Sequence, residues 1–259
     1  MTVTPELMAY YERGGEATRL KEGRGRLEFW RTQDILRRIL PPAPARVLDA
    51  GGGAGVHAEW LAADGHDVEL LDPVPRHVTE AARLDGVTAR VGDARALPYR
   101  DGTFDAVLML GPLYHLESRD DRVRALTEAR RVARPGGLVA AAVITRYSAV
   151  HDVVYQGLDG SEAMEAARAA VETGSMTSTR SGFTAHFHEP DEILGEFADA
   201  GLAVRRRYGI EGAFWLYGDV NERLDDPERR ARLLDAARRL ESEPSLLGVS
   251  GHLLAVAAV

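Results

Sequence analysis

The chain has no cysteine. That excludes disulfides, thiolate metal sites and cysteine nucleophiles, and it fits a reducing, cytoplasmic setting, which is the expected location. Long hydrophobic runs are missing too: no uninterrupted apolar stretch approaches the roughly 20 residues of a membrane-spanning helix. Residues 1–13 are polar and acidic and lack the apolar centre of a signal peptide, so no membrane partner is expected. Positive charge is in deficit, with 32 Lys and Arg against 40 Asp and Glu and a formal net charge of −8. Binding to a phosphate backbone rests on clustered Lys and Arg, so no nucleic-acid partner is expected either.

Against these gaps stand 259 residues, 45% hydrophobic and 28% charged, enough for one large α/β domain or a domain with an insertion. The spacing predicts helix over residues 5–40, where Leu27, Trp30, Ile35, Leu36 and Ile39 form a partial apolar stripe. The run Pro41-Pro42-Ala43-Pro44 stops it, because proline lacks the N–H and clashes with the preceding turn. Strands are then predicted at 46–50, 68–71, 87–91, 104–110 and 138–144, with helices at 55–64, 75–84 and 120–133. Strands alternating with helices at this spacing imply a parallel sheet of βαβ units. Residues 145–188 break the rhythm. A helix is expected at 161–172, with Ser161 as its N-cap, followed by a Ser/Thr-rich loop over 174–182. Helix 190–200, strand 202–210, helix 227–241 and a last apolar strand at 252–259 complete the chain.

The chemistry concentrates in Val47-Leu48-Asp49-Ala50-Gly51-Gly52-Gly53-Ala54-Gly55, where a strand runs into a glycine-rich turn that opens a helix. Glycines accept positive φ and let a ligand approach the backbone, and the helix N-terminus offers free N–H groups. Gly53-Ala54-Gly55-Val56-His57-Ala58 also fits the G-x-G-x-x-G/A dinucleotide pattern, with Asp72 about 20 residues on, where an acid grips a ribose. These two features indicate an adenosine without choosing between a nicotinamide and another adenosyl cofactor. Gly92-Asp93-Ala94, Phe104-Asp105 and Arg134-Pro135-Gly136-Gly137 flank the third, fourth and fifth strands.

Taken in series, Asp49-x-Gly51-x-Gly53-x-Gly55, Asp72, Gly92-Asp93-Ala94, Phe104-Asp105 and Arg134-Pro135-Gly136-Gly137 resemble the successive motifs of the class I S-adenosylmethionine-dependent methyltransferases, over residues 46–144. The resemblance implies an α/β fold, Rossmann-like and doubly wound, with a mostly parallel seven-stranded sheet, N-terminal helices and a helical insertion after the fifth strand. We expect one domain over 1–259, with 1–40 as a helical lid and 145–188 covering the substrate. The cofactor implied is S-adenosylmethionine, the product S-adenosylhomocysteine, with no metal. Gly51, Gly52, Gly53 and Gly55 would line the methionine portion, with Asp49 and the Leu110 carbonyl near its ammonium. Asp72 would hold both ribose hydroxyls, Pro73 would sit against adenine, and Asp93 with the Ala94 N–H would read the adenine edge. Arg31 resembles an arginine that pairs with the methionine carboxylate in some relatives, with a solvated surface arginine as the alternative.

A sulfonium methyl is already activated for in-line displacement, so the protein's work is alignment and exclusion of water. Ligands of open α/β sheets bind beyond the carboxyl ends of the strands, so Tyr114 and His115, just after the fourth strand, are expected at the site. His115 is the first candidate for the base that takes an acceptor's proton, ahead of His186 and His188; a histidine that merely shapes the loop is the alternative. His186 and His188 stand i, i+2 in an extended segment, and with His115 they could bind a metal. No acidic or histidine partner at a recognisable metal spacing supports that, so a pocket-lining or packing role is expected, with Glu211 and Trp215 able to join them. Arg205, Arg206 and Arg207 read as a solvated strand edge. Net acidity and the insertion favour a small-molecule acceptor. A tRNA or other nucleic-acid methyltransferase and a non-catalytic S-adenosylmethionine-binding protein are the alternatives.

Overall fold

The computed structural model describes residues 16–160, 162–177 and 184–259. The first part of the expected lid, the Ser161 cap and much of the 174–182 loop lie outside the described residues. Helices α1 (Glu16–Arg19) and α2 (Gly25–Ile39) precede the sheet. The alternating core follows as β1 (Arg46–Ala50), α3 (Val56–Ala63), β2 (Asp67–Asp72), α4 (Pro75–Ala81), β3 (Val87–Val91), β4 (Phe104–Met109), α5 (Arg119–Val132) and β5 (Ala133–Thr145). Then come α6 (Ser148–Tyr155), α7 (Glu162–Thr173), β6 (Ser175–Thr177), β7 (Thr184–His188), α8 (Glu192–Asp199) and β8 (Ala203–Gly209). The chain closes with α9 (Val220–Asp225), α10 (Pro227–Leu240) and β9 (His252–Ala258).

Seven strands run in the order β3-β2-β1-β4-β5-β9-β8; the first five are parallel, and β9 is antiparallel to both of its neighbours. This is the expected sheet. A small addition brings the total to nine: Ile144 and Thr145 pair with Phe187 and His188 of β7, which pairs in turn with β6. The central strands are apolar because both faces are covered. On one face α5 and α8 bring Leu126, Ile193 and Phe197 against Val107 and Val139. On the other, α2 and α3 bring Ile35, Leu36 and Leu61 against Val47, Leu108 and Leu254.

That second layer corrects the lid expectation. Leu27, Ile35 and Leu36 of α2 are fully buried, each stabilising by about 1.5–3 kcal/mol. Helix α2 is therefore a wall of the core and not a cover laid over it. The insertion has its own small core of Ala149, Val153, Ala167, Ala170, Ala185 and Phe187. Arg134 pairs with Asp105 at 2.7 Å across the start of β4 and β5, so two of the sequence motifs meet as a strand-register contact away from the turn. The Arg205–207 run lies on the edge strand β8, where charge discourages pairing with a further strand. Among the described residues, no helix is long and apolar enough to cross a membrane.

Candidate active site

Strand β1 is flanked by β2 on one side and β4 on the other, and beyond the carboxyl ends of these strands lies a cleft of about 1400 Å³, its open mouth included. The glycine turn forms its floor. A Cβ at Gly52 would stand 2.6 Å from Asp49 Oδ2, so no side chain fits there. Gly53 has φ +57°, with open space where a side chain would project; only glycine takes this conformation without strain, and it leaves bare backbone facing the cleft. Its N–H donates to Asp72 Oδ2 at 2.9 Å, while Asp72 Oδ1 accepts from the Val74 N–H at 2.9 Å and lies 3.1 Å from His77 Nδ1. The turn and the acid at the end of β2 thus hold each other in place.

Asp49 is the least expected feature of that floor. It is fully buried, and neither carboxylate oxygen has a hydrogen-bond partner among the described residues. Burial, with help from Asp72, pushes its pKa up to about 7. Buried polar groups are nearly always paired, and an unpaired carboxylate is costly; a cationic ligand group in the cleft would resolve both. At the far end, Asp93 and Ala94 line the cleft. Burial would raise the Asp93 carboxyl, but hydrogen bonds from Arg95 hold it below the usual carboxylate range, and Arg95 is itself anchored to Asp121 at 2.8 Å.

Asp49, Gly51, Gly52, Gly53, Asp72, Pro73, Asp93, Ala94 and Leu110 therefore line one cleft, and Gly55 stands behind them as the N-cap of α3. Arg31 does not join them. It is fully buried, donating from Nε to the Ile210 carbonyl at 2.9 Å, from Nη1 to Asp34 at 2.6 Å and from Nη2 to Glu241 at 2.7 Å. It is neither a ligand arginine nor a solvated one; it ties α2 to the end of α10. Arg31→Met is expected to destabilise the fold by about 3 kcal/mol, the scale of breaking a buried ion pair. Urea denaturation would measure it, with S-adenosylhomocysteine affinity at the folded baseline unchanged.

The remaining wall includes the turn that follows β4. Tyr114 and His115 line it, in the short 3-10 turn Pro112–His115, with ring centroids 4.7 Å apart. Burial pushes the His115 pKa down to about 4, leaving a neutral imidazole at physiological pH. Four residues that sequence reasoning did not assign to the wall are Arg19, Glu28, His57 and Thr184. Arg19 grips Glu28 at 2.8 and 3.2 Å. Burial would raise Glu28, but Arg19 and the nearby His252 bring it to about 2. Burial would lower His252, which Glu28 and Glu211 instead raise to about 9. His57 accepts from Trp60 Nε1 at 3.2 Å, and burial pushes it down to about 4.

The other expected residues fall elsewhere. His186 and His188 do not line the cleft: the polar face of β7 turns onto α8, where His186 meets Glu192 at 2.7 Å and His188 meets Glu196 at 3.2 Å. Trp215 packs with Leu27 and Val220 and donates to the Val249 carbonyl. Glu211 stands behind the wall, bonded to His252 at 2.6 Å and to Ser250 at 3.0 Å. Of the 145–188 segment, Thr184 alone among the described residues reaches the cleft.

A parallel sheet closed by a reversed strand beside β5, with a cleft at the switch point, is the architecture of the class I methyltransferase fold. A family model described as a methyltransferase domain matches residues 48–141. Over these residues the chain is similar to S-adenosylmethionine-dependent methyltransferases. It is 40% identical over 118 residues to the ubiquinone/menaquinone biosynthesis C-methyltransferase UbiE of Acidiphilium cryptum, covering 42% of this chain and 45% of that protein. It is 32% identical over 145 residues to the methyltransferase GfsG of Streptomyces halstedii, covering 53% and 51%. The chain thus spans about half the length of the curated relatives it matches. Among solved structures, the fold resembles a Thermotoga maritima S-adenosylmethionine-dependent methyltransferase, termed a possible histamine N-methyltransferase, with a TM-score of 0.60, 17% identity and 98% coverage of both chains.

Proposed function

We propose that the chain transfers the methyl group of S-adenosylmethionine to a small-molecule acceptor held against Tyr114 and His115. The observation that carries this reading is the buried, unpartnered Asp49 carboxylate beneath the bare Gly53 backbone, a cradle whose chemistry suits an ammonium-bearing adenosyl ligand. When bound, the sulfonium supplies an activated methyl group. Asp49 would hold the ammonium, Asp72 the ribose and Asp93 with Ala94 the adenine, while Arg19 and Leu20 would help keep water from the reacting atoms. The cofactor's carboxylate has no partner in Arg31; Arg19, the arginine that does line the cleft, is the replacement we favour. Relatives named for quinone biosynthesis support an aromatic acceptor, and the net charge of −8 speaks against a polyanionic one.

The test is an acceptor screen with methyl-labelled S-adenosylmethionine across hydroxylated aromatics, amines and tRNA, with products read by mass spectrometry. Transfer to a small aromatic and none to tRNA is the expected result; RNA-dependent transfer would overturn the acceptor class. Calorimetry should show binding of S-adenosylhomocysteine and none of NAD. Asp72→Ala should weaken the former by about 1.5–3 kcal/mol, the scale of hydrogen bonds to a charged group.

A further inference from the structure

His186 and His188 stand i, i+2 on β7, on the face opposite Ala185 and Phe187, which pack into the insertion's core. Their rings meet edge to face with centroids 4.5 Å apart. Helix α8 presents Glu192 and Glu196 one turn apart on the same side. One ligand atom from each of these four residues lies within 4.8 Å of all the others.

The carboxylate oxygens are divided between two kinds of partner. Arg146 donates to Glu192 Oε2 at 3.2 Å, and Arg122 donates to Glu196 Oε1 at 2.7 Å. The oxygens turned to the histidines are the other two, Glu192 Oε1 and Glu196 Oε2. Arg122 also comes within 3.6 Å of Glu192 Oε1, an ion-pair distance too long for a hydrogen bond. Carboxylates oriented from outside by donors, with their free oxygens converging on imidazoles, have the layout of a ligand set with its supporting shell. Hydrogen bonding alone leaves the inner histidine half-satisfied: His188 is fully buried, and its Nδ1 has no partner among the described residues.

We propose that His186, His188, Glu192 and Glu196 form a four-coordinate site for a divalent transition cation, zinc foremost, that clamps β7 to α8 beside the acceptor cleft. Two imidazoles and two carboxylates are ligands that zinc takes tetrahedrally at about 2.0–2.2 Å. Such bond lengths place ligand atoms roughly 3.4 Å apart, so small side-chain rotations close the set. The positive charges of Arg122 and Arg146 oppose the cation and hold the affinity to the micromolar range. Arg122 also donates to the Leu116 and Glu117 carbonyls at 2.9 and 2.8 Å, and both residues line the cleft, as does Thr184 of β7. The clamp thus steadies the acceptor side of the site. No step of methyl transfer passes through the cation.

The full chain, stripped with a chelator, is titrated with Zn²⁺ by calorimetry and with Co²⁺ by visible absorption. One cation per chain is expected, with the intense bands of four-coordinate Co²⁺ and a rise in Tm of a few degrees. The double variant His186→Ala, Glu192→Gln should lose at least about 100-fold in affinity. His186→Cys should keep the Co²⁺ and add thiolate-to-cobalt charge-transfer absorption. That signature is assignable without ambiguity, because the chain has no other cysteine. No cation bound more tightly than about 100 µM, or equal Co²⁺ binding by the double variant, overturns the site. S-adenosylhomocysteine affinity is read on the same samples, so intact cofactor binding without a cation removes the clamp and leaves the methyltransferase reading untouched.

Discussion

Replacing His115 with alanine is expected to slow methyl transfer by about 10²–10⁴-fold, the range for loss of a general base, while S-adenosylhomocysteine affinity stays within about threefold of wild type. The residue sits in the turn that follows β4, packed beside Tyr114 and lining the cleft without belonging to the glycine floor. Burial pushes its pKa down to about 4. It is therefore unprotonated across pH 6–9, and the wild-type rate should show no inflection near 6.5 from this group; a falling limb belongs toward pH 4. The most acidic acceptors lose their proton with least help from a base, so the loss should be smallest for them. Stability follows the same shift. A histidine whose folded pKa is depressed contributes stability in full above its unfolded pKa of about 6.5, and loses it as pH falls toward about 4. His115→Ala should accordingly be less sensitive to acid over that window. If the variant matches wild type at every pH from 6 to 9, the base lies elsewhere, and His57, neutral in the same wall, is the next residue to replace.

What the sequence disclosed and what it concealed divide by distance along the chain. The strand, glycine turn and helix at 46–63, with Asp72 after the next strand, form a local unit whose composition reports its own geometry. The same holds for Asp93-Ala94 and for Tyr114-His115, each placed by the end of a strand. Arg31 is not legible in the sequence because its partners, Ile210 and Glu241, lie 179 and 210 residues away, and no local pattern separates a buried arginine from a ligand arginine on an amphipathic helix. Glu28 and His252 meet across the fold for the same reason. The four residues of the β7–α8 cluster were visible as His-x-His-x3-Glu-x3-Glu. An extended segment entering a helix two residues after Pro190 does not declare which face it turns inward, so the pattern does not tell whether its histidines face His115 or the glutamates. Short elements such as β6, three residues long, carry too little pattern to be read at all.

Asp49→Asn should weaken S-adenosylhomocysteine binding at pH 8 by about 2–5 kcal/mol, the cost of removing one partner of a buried charge pair, and should stabilise the ligand-free protein at the same pH. Both effects arise from one carboxylate that is fully buried and has no hydrogen-bond partner among the described residues. Burial, and then the charge of Asp72, push its pKa up to about 7 from the ordinary aspartate value of 3.8. Between about pH 4 and 7 the folded chain holds this proton more tightly than the unfolded chain does. The group's penalty on folding is therefore absent below about 4, grows through that window and is complete above about 7. The asparagine variant should gain stability over wild type only as pH rises through the same window. Ligand binding has the opposite demand, because an ammonium is held by the ionised form. Below pH 7 wild-type binding must release a proton, and affinity should fall by up to about tenfold per pH unit. Calorimetry in two buffers of different ionisation enthalpy would count that proton directly, and the variant should release none. Equal affinity of variant and wild type at pH 8, or binding of the ligand to wild type at pH 6 without proton release, would show that Asp49 is not the ammonium's partner.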